Sequence, residues 1–211
     1  MNRSEKVVLS EIKNNLQNRK INILDHEEMN KYAVIVPIVV NDDQSLSILF
    51  EIRAKKLRRQ PGEVSFPGGK IDKSDLSEKD AAIREASEEL GIPKDDIEII
   101  GQLDTYIPSL NSIIYPFVAK INIQQLNPNR DEVDDIFLVP IDYFLQTEPE
   151  KHEINIKIEP SDSFPFHLIP GGKNYPWRKR KIYELFYIYN DYIIWGLTAK
   201  IVHHFVSIIP K

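Results

Sequence analysis

The chain is predicted to adopt an α/β fold, in which strands and helices share one core. Apolar runs of strand length alternate with amphipathic helical stretches along the chain. A length of 211 residues with 42% hydrophobic content is enough to bury one sizeable core. No internal repeat and no low-complexity linker interrupts the pattern. We therefore expect a single domain that covers residues 1–211.

The predicted elements begin with an N-terminal helix over about residues 4–20, which carries a partly apolar face. Apolar runs bounded by turn residues predict strands at residues 32–40, 46–52, 64–66, 97–106, 113–123, 136–139 and 151–158. Short and longer C-terminal helices are expected at 141–145 and 197–208. Residues 183–189 and 192–195 can pair as a hairpin across Asn190 and Asp191. The long irregular segment 160–180 is of the kind that is usually functional or mobile.

The helix between the third and fourth of these strands has the clearest boundaries. Ser77 with Asp80 three residues later fits the N-terminal capping pattern. Gly91 is placed to end the helix and Pro93 prevents its continuation. Its apolar stripe consists of Ala82, Ile83, Ala86 and Leu90. The small alanines on this stripe permit close packing against a sheet.

Three carboxylates share one face of this helix. Glu85 lies three residues before Glu88 and four before Glu89. Like charges at this spacing cost about 0.2–0.5 kcal/mol per pair on an isolated helix. A divalent cation would remove that repulsion and gain oxygen ligands from a rigid element. The spacing alone is also compatible with a solvated acidic face.

Residues 69–92 resemble the signature of the Nudix hydrolase family, Gly-x5-Glu-x7-Arg-Glu-U-x-Glu-Glu-x-Gly-U, in which U is a bulky apolar residue. The matching positions are Gly69, Arg84, Glu85, Ala86, Glu88, Glu89, Gly91 and Ile92. The chain departs from the signature in two ways, because Asp75 replaces the early glutamate and one extra residue separates it from Arg84. The resemblance implies a Nudix-like α/β/α sandwich with a mixed sheet and hydrolysis of a diphosphate linkage.

A second stretch resembles the extended pattern of the coenzyme A pyrophosphatase branch of that family. It runs from Arg53 and Ala54 through Arg58 to the Phe66-Pro67-Gly68-Gly69 turn, and weaker matches extend the resemblance over about residues 33–206. The resemblance implies that coenzyme A, or a derivative of it, is cleaved to 3′,5′-ADP and 4′-phosphopantetheine. A small-molecule diphosphate of this kind is the expected partner.

The same resemblance assigns expected roles to individual residues. Glu85, Glu88 and Glu89, with the carbonyl of Gly68, are expected to hold Mg²⁺ or Mn²⁺. Arg84, Glu85 and Glu88 are the expected catalytic residues, with Arg84 orienting a glutamate. A carboxylate from the loop that contains Glu132 is an alternative base or ligand.

Substrate contacts are expected near the glycine turn. Arg53, Arg58 and Gly69 are the candidates, since coenzyme A carries a 3′-phosphate besides its diphosphate and arginine binds phosphate oxygens as a planar fork. The basic run at residues 178–181 is expected to be a solvated loop. Trp195 and the C-terminal tyrosines are expected in the core, with stacking on adenine as the alternative for one of these rings.

Composition excludes several other classes. A net charge of −5 argues against a dedicated nucleic-acid binder, and no apolar run reaches the ~18–20 residues that span a bilayer. The absence of cysteine excludes disulfides, thiolate zinc sites and a cysteine nucleophile; it also argues against isopentenyl-diphosphate isomerases, relatives that by resemblance rely on such a cysteine. Without a signal-peptide core near the N-terminus we expect a cytoplasmic monomer or homodimer. Two alternatives stay open: a Nudix pyrophosphatase for another nucleoside diphosphate derivative or a nucleoside triphosphate, and a non-catalytic nucleotide sensor.

Overall fold

A mixed β-sheet passes through the centre of the molecule, seen in a computed structural model that describes residues 5–109 and 111–210. Within these residues the sheet has eight strands: β1 (Asn30–Val40), β2 (Leu46–Arg53), β3 (Val64–Ser65), β4 (Gly68–Lys70), β5 (Ile97–Gln102), β6 (Tyr106–Ser109), β7 (Ser112–Ile121) and β8 (Val133–Pro140). A second, three-stranded sheet is formed by β9 (Glu150–Ile156), β10 (Arg180–Tyr189) and β11 (Tyr192–Trp195). The helices are α1 (Glu5–Gln17), α2 (Glu78–Leu90), α3 (Ile141–Gln146) and α4 (Gly196–Ile208).

The centre of the large sheet is a parallel pair. Strands β1 and β7 pair in parallel from Asn30 opposite Ser112 to Ile38 opposite Lys120. All other pairs in the sheet are antiparallel, with the order β3-β2-β1-β7-β5 and with β4, β6 and β8 added to β1, β7 and β2. The sheet is therefore mixed, as the resemblance implied.

Each face of this sheet is covered by helix. Because side chains alternate along a strand, Leu49 of β2 packs with the buried alanines and Leu90 of α2, whereas Ile48 and Phe50 face the other way. On that second face lie α3, α4 and the buried side chains of the small sheet, including Tyr187. In the core on this second face, the Phe50 ring stacks on those of Phe66 and Phe137, with centroid distances of 5.1 Å and 5.4 Å. The architecture is an α/β/α sandwich.

The motif helix has the boundaries that its sequence predicts. The Asp80 N–H donates to the Ser77 Oγ at 3.2 Å, which caps the first turn. Gly91 ends the helix in the left-handed conformation at φ 62°, and its N–H donates to the Ser87 carbonyl. A side chain at Gly91 would also collide with the backbone of Asn127, because a Cβ there would lie 1.8 Å from the Asn127 carbonyl oxygen.

Several expectations differ from the structure. The predicted strand 97–106 is interrupted, since β5 ends at Gln102 and β6 begins at Tyr106. Strand β4, across the glycine turn, was not predicted. Trp195 is not in the core: it is 38% exposed and stacks on Phe186 at the surface, whereas Tyr187 is buried as expected. The N-terminal helix spans Glu5–Gln17 and so ends about three residues earlier than predicted, while residue 4 of its predicted range lies outside the described part.

No helix in residues 5–109 and 111–210 has the length and apolar character needed to cross a bilayer.

Candidate active site

A cleft of about 780 Å³ opens between the large sheet and the small one. Its first wall comes from β1, the glycine turn and α2, and includes Val34, Phe66, Gly68, Gly69, Glu85 and Glu89. Its second wall comes from β9, β10 and the start of α4, and includes Ile156, Arg180, Ile182, Trp195, Leu197 and Lys200. The predicted metal helix and glycine turn thus face one cavity, whose size suits a cofactor-sized ligand.

The two glycines of the turn are needed for close approach to their neighbours. Gly68 has φ 151°, and a Cβ there would lie 2.4 Å from the Ala33 carbonyl oxygen in β1. A Cβ on Gly69 would lie 2.3 Å from the carboxyl group of Glu85. The bare backbone therefore lies directly against a carboxylate of α2, a contact that a side chain would prevent.

Glu89 is the most buried acidic residue of the motif, with 5% of its surface exposed. Its Oε2 accepts a hydrogen bond of 2.7 Å from the Gly68 N–H. Burial raises the pKa of Glu89 well above its usual range, and the neighbouring charge of Glu51 raises it further. The helix and the turn are thus joined through one carboxylate.

Glu51 of β2 is a functional candidate that the motif analysis missed. It is 1% exposed, and the Ser65 hydroxyl donates to its Oε1 at 2.9 Å. Burial raises the pKa of Glu51 to about 7, although the Ser65 bond acts in the opposite direction. An acidic residue inside the apolar run of residues 46–52 was a signal in the sequence, because a buried strand rarely contains an unpaired acid.

Arg84 is surrounded by acidic partners. Its guanidinium forms a two-pronged pair with Asp75, Nε to Oδ1 and Nη2 to Oδ2, both at 2.9 Å. The same group donates to Glu85 at 2.8 Å, to the Lys70 carbonyl at 3.2 Å and to Glu88 at 3.4 Å. The hydrogen bonds from Arg84 lower the pKa of Asp75, while burial raises that of Glu85 in spite of the adjacent arginine. Asp75, which departs from the family signature, therefore has a defined contact in this chain.

The structure distributes the predicted substrate residues unevenly. Arg53 and Gly69 line the cleft, but Arg58 does not; its neighbour Arg59 does. Arg180, from the basic run expected to be solvated, also lines the cleft. The side chain of Glu88 is 58% exposed and lies outside the cleft wall, on the flank of α2 where Arg84 reaches it.

The acidic residues around Glu89 fit a divalent cation chemically. The Glu132 charge raises the pKa of Glu51, Glu85 and Glu89, and the charges of Glu51 and Glu85 raise that of Glu89 further. Carboxylate and carbonyl oxygens are the ligands that Mg²⁺ and Mn²⁺ prefer. As the side chains stand, no three acidic or histidine groups in the described ranges converge on one ion position. One oxygen of Glu85 accepts a hydrogen bond from Arg84, and one oxygen of Glu89 accepts a hydrogen bond from the Gly68 N–H.

Comparison with known proteins bears on both fold and chemistry. The NUDIX domain family model matches residues 29–160. The chain is 39% identical over 124 residues to the peroxisomal coenzyme A diphosphatase of Mus musculus, an alignment that covers 58% of this chain and only 52% of the mouse protein. It is 33% identical over 177 residues to the Nudix hydrolase NudL of Pectobacterium atrosepticum, covering 81% of this chain and 78% of that protein.

Among solved structures, a MutT/nudix family protein from Enterococcus faecalis is 16% identical with a TM-score of 0.49, covering 99% of this chain and 75% of that one. The family model spans more than half of the sequence and includes the glycine turn, α2 and the acidic loop near Glu132. The chain belongs to the Nudix hydrolase family.

Proposed function

We propose that the protein hydrolyses the diphosphate linkage of coenzyme A or a derivative of it, giving 3′,5′-ADP and 4′-phosphopantetheine, with Mg²⁺ or Mn²⁺ as cofactor. The observation that carries the proposal is the group of carboxylates beside the glycine turn. Glu89 and Glu85 are ionisable, desolvated and mutually repelling at the wall of a cofactor-sized cleft. Carboxylates repel a diphosphate anion, and a divalent cation between them would turn that repulsion into attraction.

The choice of coenzyme A has separate support. The mouse relative, of which the alignment covers about half, carries the name coenzyme A diphosphatase. Arg53, Arg59 and Arg180 bring three guanidinium groups to one cleft, more than a single diphosphate needs. A substrate with a third phosphate would use them all, because each arginine can bind phosphate oxygens through two parallel hydrogen bonds.

In the proposed mechanism, Glu85, Glu88, Glu89 and the Gly68 carbonyl would hold the cation. When bound, a divalent ion neutralises phosphoryl charge and lowers the pKa of the attacking water. Arg84 positions Glu85 through their 2.8 Å bond and does not touch substrate. One glutamate of the helix, or Glu132, accepts the proton of the water as its oxygen bonds to phosphorus. The bond from phosphorus to the bridging oxygen breaks, and the leaving phosphate keeps that oxygen.

Incubation of the pure protein with coenzyme A and Mn²⁺, followed by mass spectrometry of the products, tests this proposal. We expect 3′,5′-ADP and 4′-phosphopantetheine, and a loss of turnover by orders of magnitude in a folded E89Q variant. Comparison with dephospho-coenzyme A reports on the 3′-phosphate, a group that ADP-ribose lacks. Rapid turnover of another diphosphate without cleavage of coenzyme A would reject the substrate assignment. Tight nucleotide binding without turnover of any diphosphate would favour a sensor.

A further inference from the structure

We propose that Glu51, a strand residue outside the helix motif, is an additional carboxylate ligand of the divalent cation. This inference rests on the proposed function, because it concerns the same cation. It adds a ligand from the sheet to those expected from α2 and the glycine turn. The argument depends on where Glu51 points, which of its oxygens has a partner, and which charges surround it.

The direction of the Glu51 side chain follows from the pleat of β2. Leu49, two residues earlier, packs in the cluster that contains the buried side of α2, and alternate residues of a strand share one face. Ile136, paired with Glu51 across β8, belongs to the same cluster. Glu51 is therefore on the face that α2 covers, and the charge of Glu89 on that helix interacts with it.

One oxygen of this carboxylate has a partner and the other has none. Glu51 pairs with Ser65 in the β2–β3 register, and the Ser65 hydroxyl donates to Oε1 at 2.9 Å. Oε2 is buried and has no hydrogen-bond partner among the described residues. Buried polar atoms of native proteins are nearly always satisfied, and an exception calls for a group such as an ion.

Among the described residues, the charges around Glu51 compensate its carboxylate only weakly. Glu132 is a second negative neighbour besides Glu89. Within the described part of the chain, the positive charge that acts on Glu51 is that of Arg53, and it lowers the pKa of Glu51 less than the Ser65 hydrogen bond does. An isolated buried carboxylate is costly unless it is paired or coordinates a metal. A cation between β2 and α2 would satisfy Oε2 and reduce the repulsion between Glu51 and Glu89.

Calorimetric titration of Mn²⁺ into the metal-free protein at fixed pH tests the assignment. We expect E51Q to weaken Mn²⁺ binding about 10- to 100-fold, the range seen when groups that support a metal site are removed. The relaxation of water protons by bound Mn²⁺ should also increase in E51Q, because water fills the position that the carboxylate leaves. If Glu51 acted on the ion only through its charge, E51Q would weaken Mn²⁺ binding without adding a bound water. That result would overturn its role as a ligand.

The matched control is E63Q, which makes the same chemical change at a cleft residue whose charge does not act on Glu51 or Glu89. It should leave the Mn²⁺ dissociation constant within about twofold of the parent. If E51Q does not fold, E51D takes its place as the test. Its side chain is one methylene shorter, so it must also weaken Mn²⁺ binding. Parental Mn²⁺ binding by folded E51Q or E51D, with binding lost in E89Q, would overturn the role of Glu51 and leave the helix site standing. A parent that binds no Mn²⁺ would overturn both.

Discussion

At the residue scale, a single arginine organises the acidic side chains of α2. Arg84 uses Nε and Nη2 for Asp75 and Nη1 for Glu85, so its orientation is set by the carboxylate outside the helix. Both Arg84 and Asp75 are largely buried, with 19% and 6% of their side chains exposed. Paired charges at this depth are screened little, so breaking the pair leaves one charge without compensation. Asp75 is therefore a positioning residue for the helix motif.

We predict that D75N lowers the free energy of unfolding at pH 7 by about 1.5–3 kcal/mol, the range for a hydrogen bond to a charged group. The folded-state pKa of Asp75 lies below its unfolded value, so the unfolded chain binds the extra proton on acidification. The stabilisation is therefore complete above about pH 4–5 and is lost as the pH falls through the folded pKa. Urea unfolding at pH 7 and pH 3.5 measures both effects.

In D75N, the difference between the two pH values should be smaller than in the parent. The control D72N changes an exposed aspartate that lies 3.9 Å from Arg84, and should stay within about 0.5 kcal/mol of the parent. Equal losses in D75N and D72N would show that Asp75 has no special part in holding Arg84.

At the scale of elements, the backbone of the glycine turn packs directly against the glutamate side chains of α2. The Gly68 N–H bonds to Glu89, and Gly69 leaves room for the Glu85 carboxyl. Strand β4 holds this turn in place through its pairing with β1, in which Ala33 lies opposite Gly69. The close contact between the turn, β1 and the Glu85 side chain of α2 thus depends on the absence of two side chains.

We predict that G69A lowers kcat/KM by about 100-fold or more, since displacement of a catalytic group by ~1 Å can cost that much. The added Cβ would lie 2.3 Å from the Glu85 carboxyl carbon, so this side chain must move. The matched control is G101A in β5, where a Cβ would meet nothing within 4 Å. Steady-state kinetics on coenzyme A compares the two, and circular dichroism confirms folding. Parental kcat/KM in G69A would contradict the close fit.

The sequence predicted an element well where residues within or next to that element determine where it begins and ends. The cap at Ser77 and the end at Gly91 depend on residues within the helix, and the structure reproduces both. Strand β4 depends on β1, which lies far away in sequence, so no local pattern indicates it. Glu51 was missed for a related reason. It becomes a candidate only because α2, which is distant in sequence, packs over β2 and brings Glu89 near it. Trp195 was misplaced since a large aromatic at a strand end can line a cleft as readily as a core.

At the scale of the whole molecule, the cleft lies between two separate sheets formed by the described strands. Arg180 and Ile156 form one backbone pair of the small sheet, and both line the cavity opposite α2. Arg180 lies beyond residues 29–160, the part that the family model matches. The wall facing α2 therefore comes partly from a region outside the match to the family model. Sequence alone could not place Arg180 there, because the order and packing of the sheets depend on long-range contacts.

We predict that R180A raises KM for coenzyme A about three- to tenfold with little change in kcat. Arg180 is exposed, so its attraction to phosphate is partly screened by water and salt. R178A, two residues away in the same basic run and outside the cleft wall, is the matched control and should keep the parental KM. The R180A effect should shrink at high ionic strength, which kinetics at two salt concentrations would detect. An equal KM change in both variants would mean that the small sheet does not contact substrate.

The parallel pairing of β1 with β7 also constrains how the molecule is made. Asn30 and Ser112 are partners although roughly eighty residues separate them, and the whole of α2 lies on the chain between. Closing so long a loop is costly in entropy and slows folding. A nascent chain emerging from the ribosome can cap α2 early, but it has no complete surface on which to dock the helix until β7 has been synthesised. Packing of α2 against the complete sheet thus waits until β7 has been translated.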